Sequence, residues 1–198
     1  GDDRLLRAYY DNMLRYADFM IRRAGKWGGI FAKPMHLSHK NRKYAVNCGK
    51  SYGEWAEPND VMAFHGIDFF IPHPEESTAY TYFTLKRVLE IASILGKPET
   101  PLLARIREYS EGAKRAYQEL VTKDGYSLDT DRQAKLVRPL YMGLLTPEQE
   151  AFARKRLIAA LAHYGWRLGT GILSTPMILD VLAGLDISSA YRRLETEE

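Results

Sequence analysis

The sequence predicts an all-α protein of about seven helices, arranged as antiparallel hairpins with one long irregular loop. Three observations predict this class: apolar residues recur every three or four positions in several segments, Pro and Gly separate these segments, and no convincing strand-turn-strand pattern occurs. Short turns alternate with longer loops, which favours hairpins laid side by side, either as a solenoid or as a toroid. No fixed-period repeat is visible, which weighs against tetratricopeptide-type arrays.

The first two helices have clear boundaries. Residues 3–24 carry an apolar stripe with charged residues between its members, and Gly25 is suited to the position just after a helix. A second helix is predicted to begin near Pro74, because Pro suits the first helical position and the two following glutamates complement the positive end of the helix dipole. Gly96 and Pro98 end it.

The second half of the chain adds the remaining helices. Thr146 and Gln149 have the spacing of a capping box, in which each side chain accepts a hydrogen bond from the other residue's backbone. Pro139 is expected to kink the fourth helix or to delay its start. The predicted helices cover residues 101–120, 129–145, 147–164 and 176–182, with a last short helix beginning at 188 or 189.

The long loop from Gly25 to His73 concentrates the side chains that can do chemistry. It contains four of the five histidines, the only cysteine and two of the three tryptophans. Short extended pieces are expected at residues 29–32 and 68–71. A compact domain rarely keeps so long a connection unless the connection lines a site.

Composition limits the classes of partner. We expect one domain over residues 1–198, and 28 Lys and Arg against 25 Asp and Glu give a net charge of only +3, with no basic stripe for nucleic acid. No apolar run reaches transmembrane length and no signal-peptide pattern opens the chain, so the compartment stays open between cytoplasm and periplasm. Cys48 is alone and cannot form an internal disulfide.

The strongest candidate site is the stretch Tyr52-Gly53-Glu54-Trp55, followed two residues later by Glu57. An aromatic face stacks on the C–H bonds of a sugar while carboxylates accept hydrogen bonds from its hydroxyls, so this pattern suits carbohydrate binding. Two carboxylates could also perform acid–base hydrolysis if burial raised the pKa of one of them. The alternative is a surface loop whose Trp is tucked into the core.

Other combinations are weaker. His36, His39, Cys48 and His65 match no standard zinc spacing, so no metal site is predicted, and no residue can be named to orient Cys48 as a nucleophile. No cofactor is predicted either. The Gly169-Thr170-Gly171 segment lacks the lysine of a phosphate-binding loop, and we interpret it as a tight turn leading to the start of a helix at Ser174.

Several stretches, in the same order along the chain, resemble the bacterial α-L-rhamnosidases of glycoside hydrolase family 78. They resemble the family's (α/α)6 toroidal catalytic domain. Tyr52-Gly53-Glu54-Trp55 falls where the family has Tyr-Gly-Asp-Trp, with Glu54 in place of Asp. The other similar stretches are residues 7–20, 76–80, 89–97, 167–176 and 179–182.

The resemblance implies an enzyme that hydrolyses terminal α-L-rhamnosides with inversion, using one carboxylic acid and a distant carboxylate base. It places both outside these 198 residues, so no catalytic residue is expected within this chain, and the chain alone is expected to be inactive. The binding role implied for this stretch concerns Trp55 and Glu54, and we include Tyr52 and Glu57 among the substrate-binding candidates. Part of a toroid is also expected to self-associate through exposed helix faces.

Two alternatives remain open at this point. The chain could belong to another α/α-toroid glycosidase or to a polysaccharide lyase, which a panel of sugars would distinguish. It could also be a non-catalytic helical scaffold that binds protein along a concave face, and such a scaffold would not bind sugar.

Overall fold

The structure is a computed structural model that describes residues 3–26, 28, 35–49, 53–62, 71–122 and 127–184. These ranges contain seven helices and no strand. The helices are α1 (Asp3–Arg23), α2 (His39–Arg42), α3 (Pro74–Ile94), α4 (Pro101–Leu120), α5 (Gln133–Met142), α6 (Pro147–His163) and α7 (Thr175–Ala183). Within the same ranges, none of these helices has the length and apolar character needed to cross a bilayer.

The chain divides into two compact units. Unit 1 comprises Gly1–Gly49 and Ile71–Glu119, and unit 2 comprises Lys50–Phe70 and Leu120–Glu198. Unit 1 therefore holds α1 to α4, apart from the last residue of α4, and unit 2 holds α5 to α7. The prediction of one domain over residues 1–198 stays a prediction.

In unit 1, α1 packs against α3, and α4 contributes to the same core. The predicted bounds of α1, α3 and α4 are confirmed to within a residue or two, because strong periodicity and end signals coincide there. Gly96 takes the left-handed conformation (φ 61°) that ends α3. The buried core residues are Tyr10, Ala17, Ile21, Leu85, Val88, Ala92, Leu95, Leu103 and Ile106.

The segment 35–49 of unit 1 contains α2, a single turn that the sequence did not predict. It lies on α4, where the Tyr44 ring packs over Gly112: a Cβ at that position would be 2.3 Å from the ring. The Val46 backbone N–H donates to the buried Thr78 hydroxyl of α3 over 3.0 Å. Close packing and hydrogen bonds thus hold this segment against α3 and α4.

In unit 2, α5 packs against both α6 and α7. The capping box of α6 is confirmed: the Gln149 N–H donates to the Thr146 hydroxyl over 3.2 Å, and the Thr146 N–H donates to Gln149 Oε1 over 3.0 Å. The buried apolar residues of these helices are Ala134, Leu136, Val137, Met142, Ala153, Leu157, Ala160, Leu161, Ile178, Val181 and Leu182.

The fourth predicted helix is shorter than expected, covering Gln133–Met142 rather than residues 129–145. Local side-chain bonds compete with the helix before Gln133: the Asp129 N–H donates to the Ser127 hydroxyl, and the Arg132 N–H donates to the Thr130 hydroxyl. Gly143 ends the helix in a left-handed conformation (φ 70°). The start of this helix is therefore delayed, which was one of the two effects expected of Pro139. Pro139 itself lies inside the helix.

Some predictions fall outside the described residues. These concern the extended pieces at 29–32 and 68–70 and the last helix from 188 or 189.

Candidate functional site

The turn that carries Glu54 and Trp55 lies in unit 2 and is bounded by two residues in the left-handed conformation. Gly53 has φ 65°, which costs glycine nothing, and Ala56 has the same φ, which is uncommon for a residue with a Cβ. The Trp55 N–H donates to the Gly53 carbonyl over 3.0 Å and closes the turn. As a result adjacent side chains have opposite environments: the Glu54 side chain is 1% exposed, whereas Trp55 is 45% exposed.

The buried Glu54 carboxylate accepts hydrogen bonds on both oxygens from Arg138 and Ser174. Arg138 Nη2 on α5 lies 2.8 Å from Glu54 Oε2, and the Arg138 side chain is only 2% exposed. The backbone N–H of Ser174 donates to Oε1 over 2.6 Å, and the Ser174 hydroxyl donates to Oε2 over 2.8 Å. A buried charge is stable only when it is paired and hydrogen-bonded, and Glu54 meets both conditions.

A second loop, residues 167–174, lies directly against this turn. The Ile172 N–H donates to the Trp55 carbonyl over 2.7 Å. A Cβ at Gly171 would lie 2.2 Å from the same carbonyl oxygen, so only glycine allows this approach. The loop is also fixed from α5, where the buried Gln133 side chain accepts from the Gly169 N–H over 2.8 Å and donates to the Arg167 carbonyl over 2.9 Å.

Glu57 is held by a different arginine. Arg132 donates to both of its oxygens, over 3.2 Å from Nε and 2.5 Å from Nη2. The Glu57 side chain is 3% exposed, and this burial raises the pKa of its carboxyl, although the Arg132 guanidinium opposes the shift. On the rim, Arg167 pairs with Asp60 and lowers the pKa of that carboxyl.

The structure thus brings two predicted site residues, Glu54 and Trp55, into one short turn and places a third, Glu57, directly after it. Trp55 is exposed, so the alternative of a Trp tucked into the core is wrong. Glu54 and Glu57 are each paired with an arginine. Tyr52 lies outside the described residues.

Sequence reasoning missed the partners of these carboxylates. Arg138 and Ser174 lie 84 and 120 positions from Glu54, and no local pattern connects them. One signal was available for Arg138: it lies four positions after Ala134, on the apolar face of its helix, where a charge requires a buried partner. Ser174 does begin a helix, as predicted, and its hydroxyl is directed to Glu54.

The described residues contain no group of three or more His, Cys, Asp or Glu placed to hold a metal ion. Of the side chains weighed for such a site, Cys48 Sγ donates to the Arg23 carbonyl over 3.3 Å. His65 lies outside the described residues.

Comparisons with known proteins agree on one family. A family model described as the bacterial α-L-rhamnosidase six-hairpin glycosidase domain matches residues 1–198. An α-L-rhamnosidase of Streptomyces avermitilis is 31% identical over 147 residues, which cover 72% of this chain and 13% of that protein. The chain therefore spans about one eighth of the length of this curated relative.

Two solved structures share the fold. The crystal structure of Streptomyces avermitilis α-L-rhamnosidase complexed with L-rhamnose matches all of this chain and 16% of that one, with a TM-score of 0.70 and 21% identity. Native α-L-rhamnosidase from Aspergillus terreus matches 63% of this chain and 14% of its own, with a TM-score of 0.55 and 22% identity. The helical structure and the six-hairpin description confirm the predicted class, an all-α chain of the α/α-toroid type.

Proposed function

We propose that this chain, which belongs to the bacterial α-L-rhamnosidase six-hairpin glycosidase domain family, is part of an enzyme that hydrolyses terminal α-L-rhamnosides. In this proposal the Trp55 turn forms one wall of a sugar subsite. The observation that carries it is an exposed indole on a turn whose neighbouring carboxylate is buried and bonded to Arg138 and Ser174.

Trp55 is the residue that contacts the sugar. Its 45% exposure leaves an aromatic surface available, and a Trp face offers a sugar ring a large apolar contact. The fixed turn limits the entropy lost on binding, because the backbone beside Trp55 is already held by hydrogen bonds on both sides.

Glu54 is a positioning residue in this proposal rather than a contact to the sugar. Both of its oxygens accept hydrogen bonds from Arg138 and Ser174, so its role is to hold the Trp55 turn. Glu57 supports the turn in the same way through Arg132. The contact between Tyr52 and the substrate stays a prediction.

The reacting carboxylates are supplied by sequence outside these 198 residues. Support comes from Glu54 and Glu57, whose side chains are 1% and 3% exposed and are bonded to arginines, so that a substrate oxygen cannot come within hydrogen-bond distance of either carboxyl. We further propose inversion, in which a water attacks between two distant carboxyl groups. Proton NMR of hydrolysis by the protein that carries this chain would then show β-L-rhamnose first, and α-L-rhamnose as the first anomer would overturn inversion.

Sugar binding by the chain tests the proposed site. Trp55→Ala is expected to weaken binding of methyl α-L-rhamnopyranoside roughly fivefold, because stacking on an aromatic ring contributes about 1 kcal/mol. The measurement is an NMR titration of the 198-residue chain. Phe152→Ala is the matched control, since Phe152 is 47% exposed on α6 of the same unit and should leave affinity unchanged. Equal affinities in wild type and Trp55→Ala would contradict the role of Trp55.

Self-association stays a prediction. The described part of α1 has several exposed apolar side chains, and together with α3 it borders an apolar groove of about 460 Å³ in unit 1. The groove is lined by Tyr9, Asn12, Met13, Tyr16, Phe83, Thr84, Arg87, Val88 and Ile91. Sedimentation of a monomer at all concentrations would count against self-association.

A further inference from the structure

The two loops of the site meet at an exposed apolar edge. Ile172 is 64% exposed and Trp55 is 45% exposed, and the hydrogen bond between their backbones is 2.7 Å long. A backbone bond of this kind places the two Cα atoms about 5–6 Å apart, as in a strand pair. The Ile172 and Trp55 side chains therefore start from neighbouring points on the surface. Leu168 and Leu173, 37% and 38% exposed, extend the apolar character of the second loop.

The position of Ile172 is fixed by the structure around it. Before it, Gly171 lies so close to the Trp55 carbonyl that a Cβ could not be accommodated. After it, the buried Ser174 is bonded to Glu54 through both its N–H and its hydroxyl. The Thr175 hydroxyl also donates to the Gly171 carbonyl over 2.7 Å. A single exposed aliphatic side chain is ordinary, but exposed apolar residues that lie together, as Ile172 and Trp55 do, indicate a binding surface.

The chemistry of the proposed substrate suggests what this edge contacts. L-Rhamnose is a 6-deoxy hexose, so C6 is a methyl group, whereas L-mannose has the same ring configuration with a hydroxyl on C6. A ring stacked on Trp55 can place C6 against a neighbouring aliphatic side chain. That contact favours the methyl group, and it leaves the hydroxyl of the other sugar with fewer hydrogen-bond partners.

We infer that Ile172 is a specificity-determining residue, which contacts the C6 methyl group of an α-L-rhamnoside stacked on Trp55 and disfavours sugars with a hydroxyl at C6. The inference rests on the proposed function. An apolar surface discriminates weakly against an added hydroxyl, by about 10- to 100-fold in enclosed pockets, so the expected preference at this open edge is roughly tenfold.

The test compares two ligands that differ only at C6, methyl α-L-rhamnopyranoside and methyl α-L-mannopyranoside. Their affinities are measured by NMR titration for the 198-residue chain and for Ile172→Val and Ile172→Thr, which differ from each other by a methyl and a hydroxyl group of similar size. We expect wild type and Ile172→Val to prefer the rhamnoside roughly tenfold, and Ile172→Thr to lose most of that preference. Leu179→Thr on α7, at a position 46% exposed, is the control for a surface substitution and should keep the wild-type preference.

The outcomes separate this inference from the proposed function. If the rhamnoside binds through Trp55 but Ile172→Thr keeps the wild-type preference, the role of Ile172 is overturned and the sugar site stands. If neither sugar binds to a chain whose circular dichroism is helical, the proposed site fails and the inference fails with it.

Discussion

Residues 35–49 and 53–62 both belong to the connection between α1 and α3, yet different interactions hold them in place. In unit 1, Tyr44 packs over the bare backbone of Gly112, and its hydroxyl donates to Glu108 over 2.7 Å. Lys43 also pairs with Glu108, but both side chains are more than half exposed. In unit 2, the segment is fixed by the ion pair between Glu54 and Arg138, whose side chains are 1% and 2% exposed.

The difference indicates which segment is shaped for a function. An apolar contact of similar volume would often stabilise a protein as well as a buried ion pair does, because burying two charges carries a large desolvation penalty. The Glu54–Arg138 pair is therefore better explained by the position it imposes on Trp55 than by the stability it adds. Segment 35–49 is held by packing, by the hydrogen bond from Val46 to Thr78 and by bonds to Glu108, whose side chain is about half exposed, so it needs no such explanation.

Breaking the buried ion pair should have the largest effect. Arg138→Met leaves the Glu54 carboxylate buried without its cation, and we expect it to lower the free energy of unfolding by about 3–5 kcal/mol. Lys43→Met removes the exposed pair of unit 1 and should leave the urea midpoint almost unchanged, because a solvent-exposed ion pair contributes little to stability. Urea unfolding measures both changes. Equal losses in the two variants would remove the contrast between the segments.

The helices were predictable because their signals are local. The capping box at Thr146 and Gln149 is decided within four residues, and the glycine that ends α3 follows directly on its apolar stripe. The fourth helix failed at its start, where hydroxyl groups of Ser127 and Thr130 bond the backbone instead. A helical pattern alone does not show this competition.

The site was only partly predictable, because several of its contacts join residues that are distant in the sequence. The aromatic and acidic composition of the Trp55 stretch is local and was recognised, whereas its anchors come from α5 and from the start of α7. On α5 the apolar Tyr141 is 37% exposed while the charged Arg138 is buried, which is the reverse of what hydrophobicity alone predicts. The partner of Arg138, Glu54, lies 84 positions away, so the burial of Arg138 becomes understandable only in the folded structure.

Filling the close approach at Gly171 should have the next largest effect. A Cβ there meets the Trp55 carbonyl at 2.2 Å, and since that atom is backbone the whole turn must move. We expect Gly171→Ala to cost about 1–3 kcal/mol in urea unfolding and to weaken rhamnoside binding. Gly112→Ala is the matched variant in unit 1, where the Cβ meets the Tyr44 ring at 2.3 Å. It should also destabilise the chain but leave binding unchanged, and a loss of binding in Gly112→Ala would show that the effect is not local to the site.

The smallest effects concern the dependence of stability on pH. The contributions of one carboxyl group in each unit, Glu57 and Glu108, should change with pH in opposite directions. Burial raises the pKa of Glu57 above its ordinary value of 4.5, so its folded state binds the proton more tightly than its unfolded state. Its contribution to stability is therefore complete below pH 4.5 and is lost as the pH rises through the raised pKa. Hydrogen bonds from Tyr44 and Lys43 lower the pKa of Glu108 below the same value. Its contribution is present above pH 4.5 and is lost as the pH falls through the lowered pKa.

Urea midpoints of the wild type, Glu57→Gln and Glu108→Gln between pH 3 and pH 7 would measure how the contribution of each carboxyl group to stability changes with pH. Relative to Glu57→Gln, the wild type should lose stability as the pH rises through this range, because only the wild type must ionise a carboxyl that is buried. Relative to Glu108→Gln, the wild type should gain stability over the same range, and this gain should be the smaller of the two because Glu108 faces solvent. If the stability of the wild type relative to Glu57→Gln instead increased with pH, the attraction of Arg132 would outweigh the effect of burial on the pKa of Glu57. Glu57 would then behave like Glu108, the exposed carboxylate of unit 1.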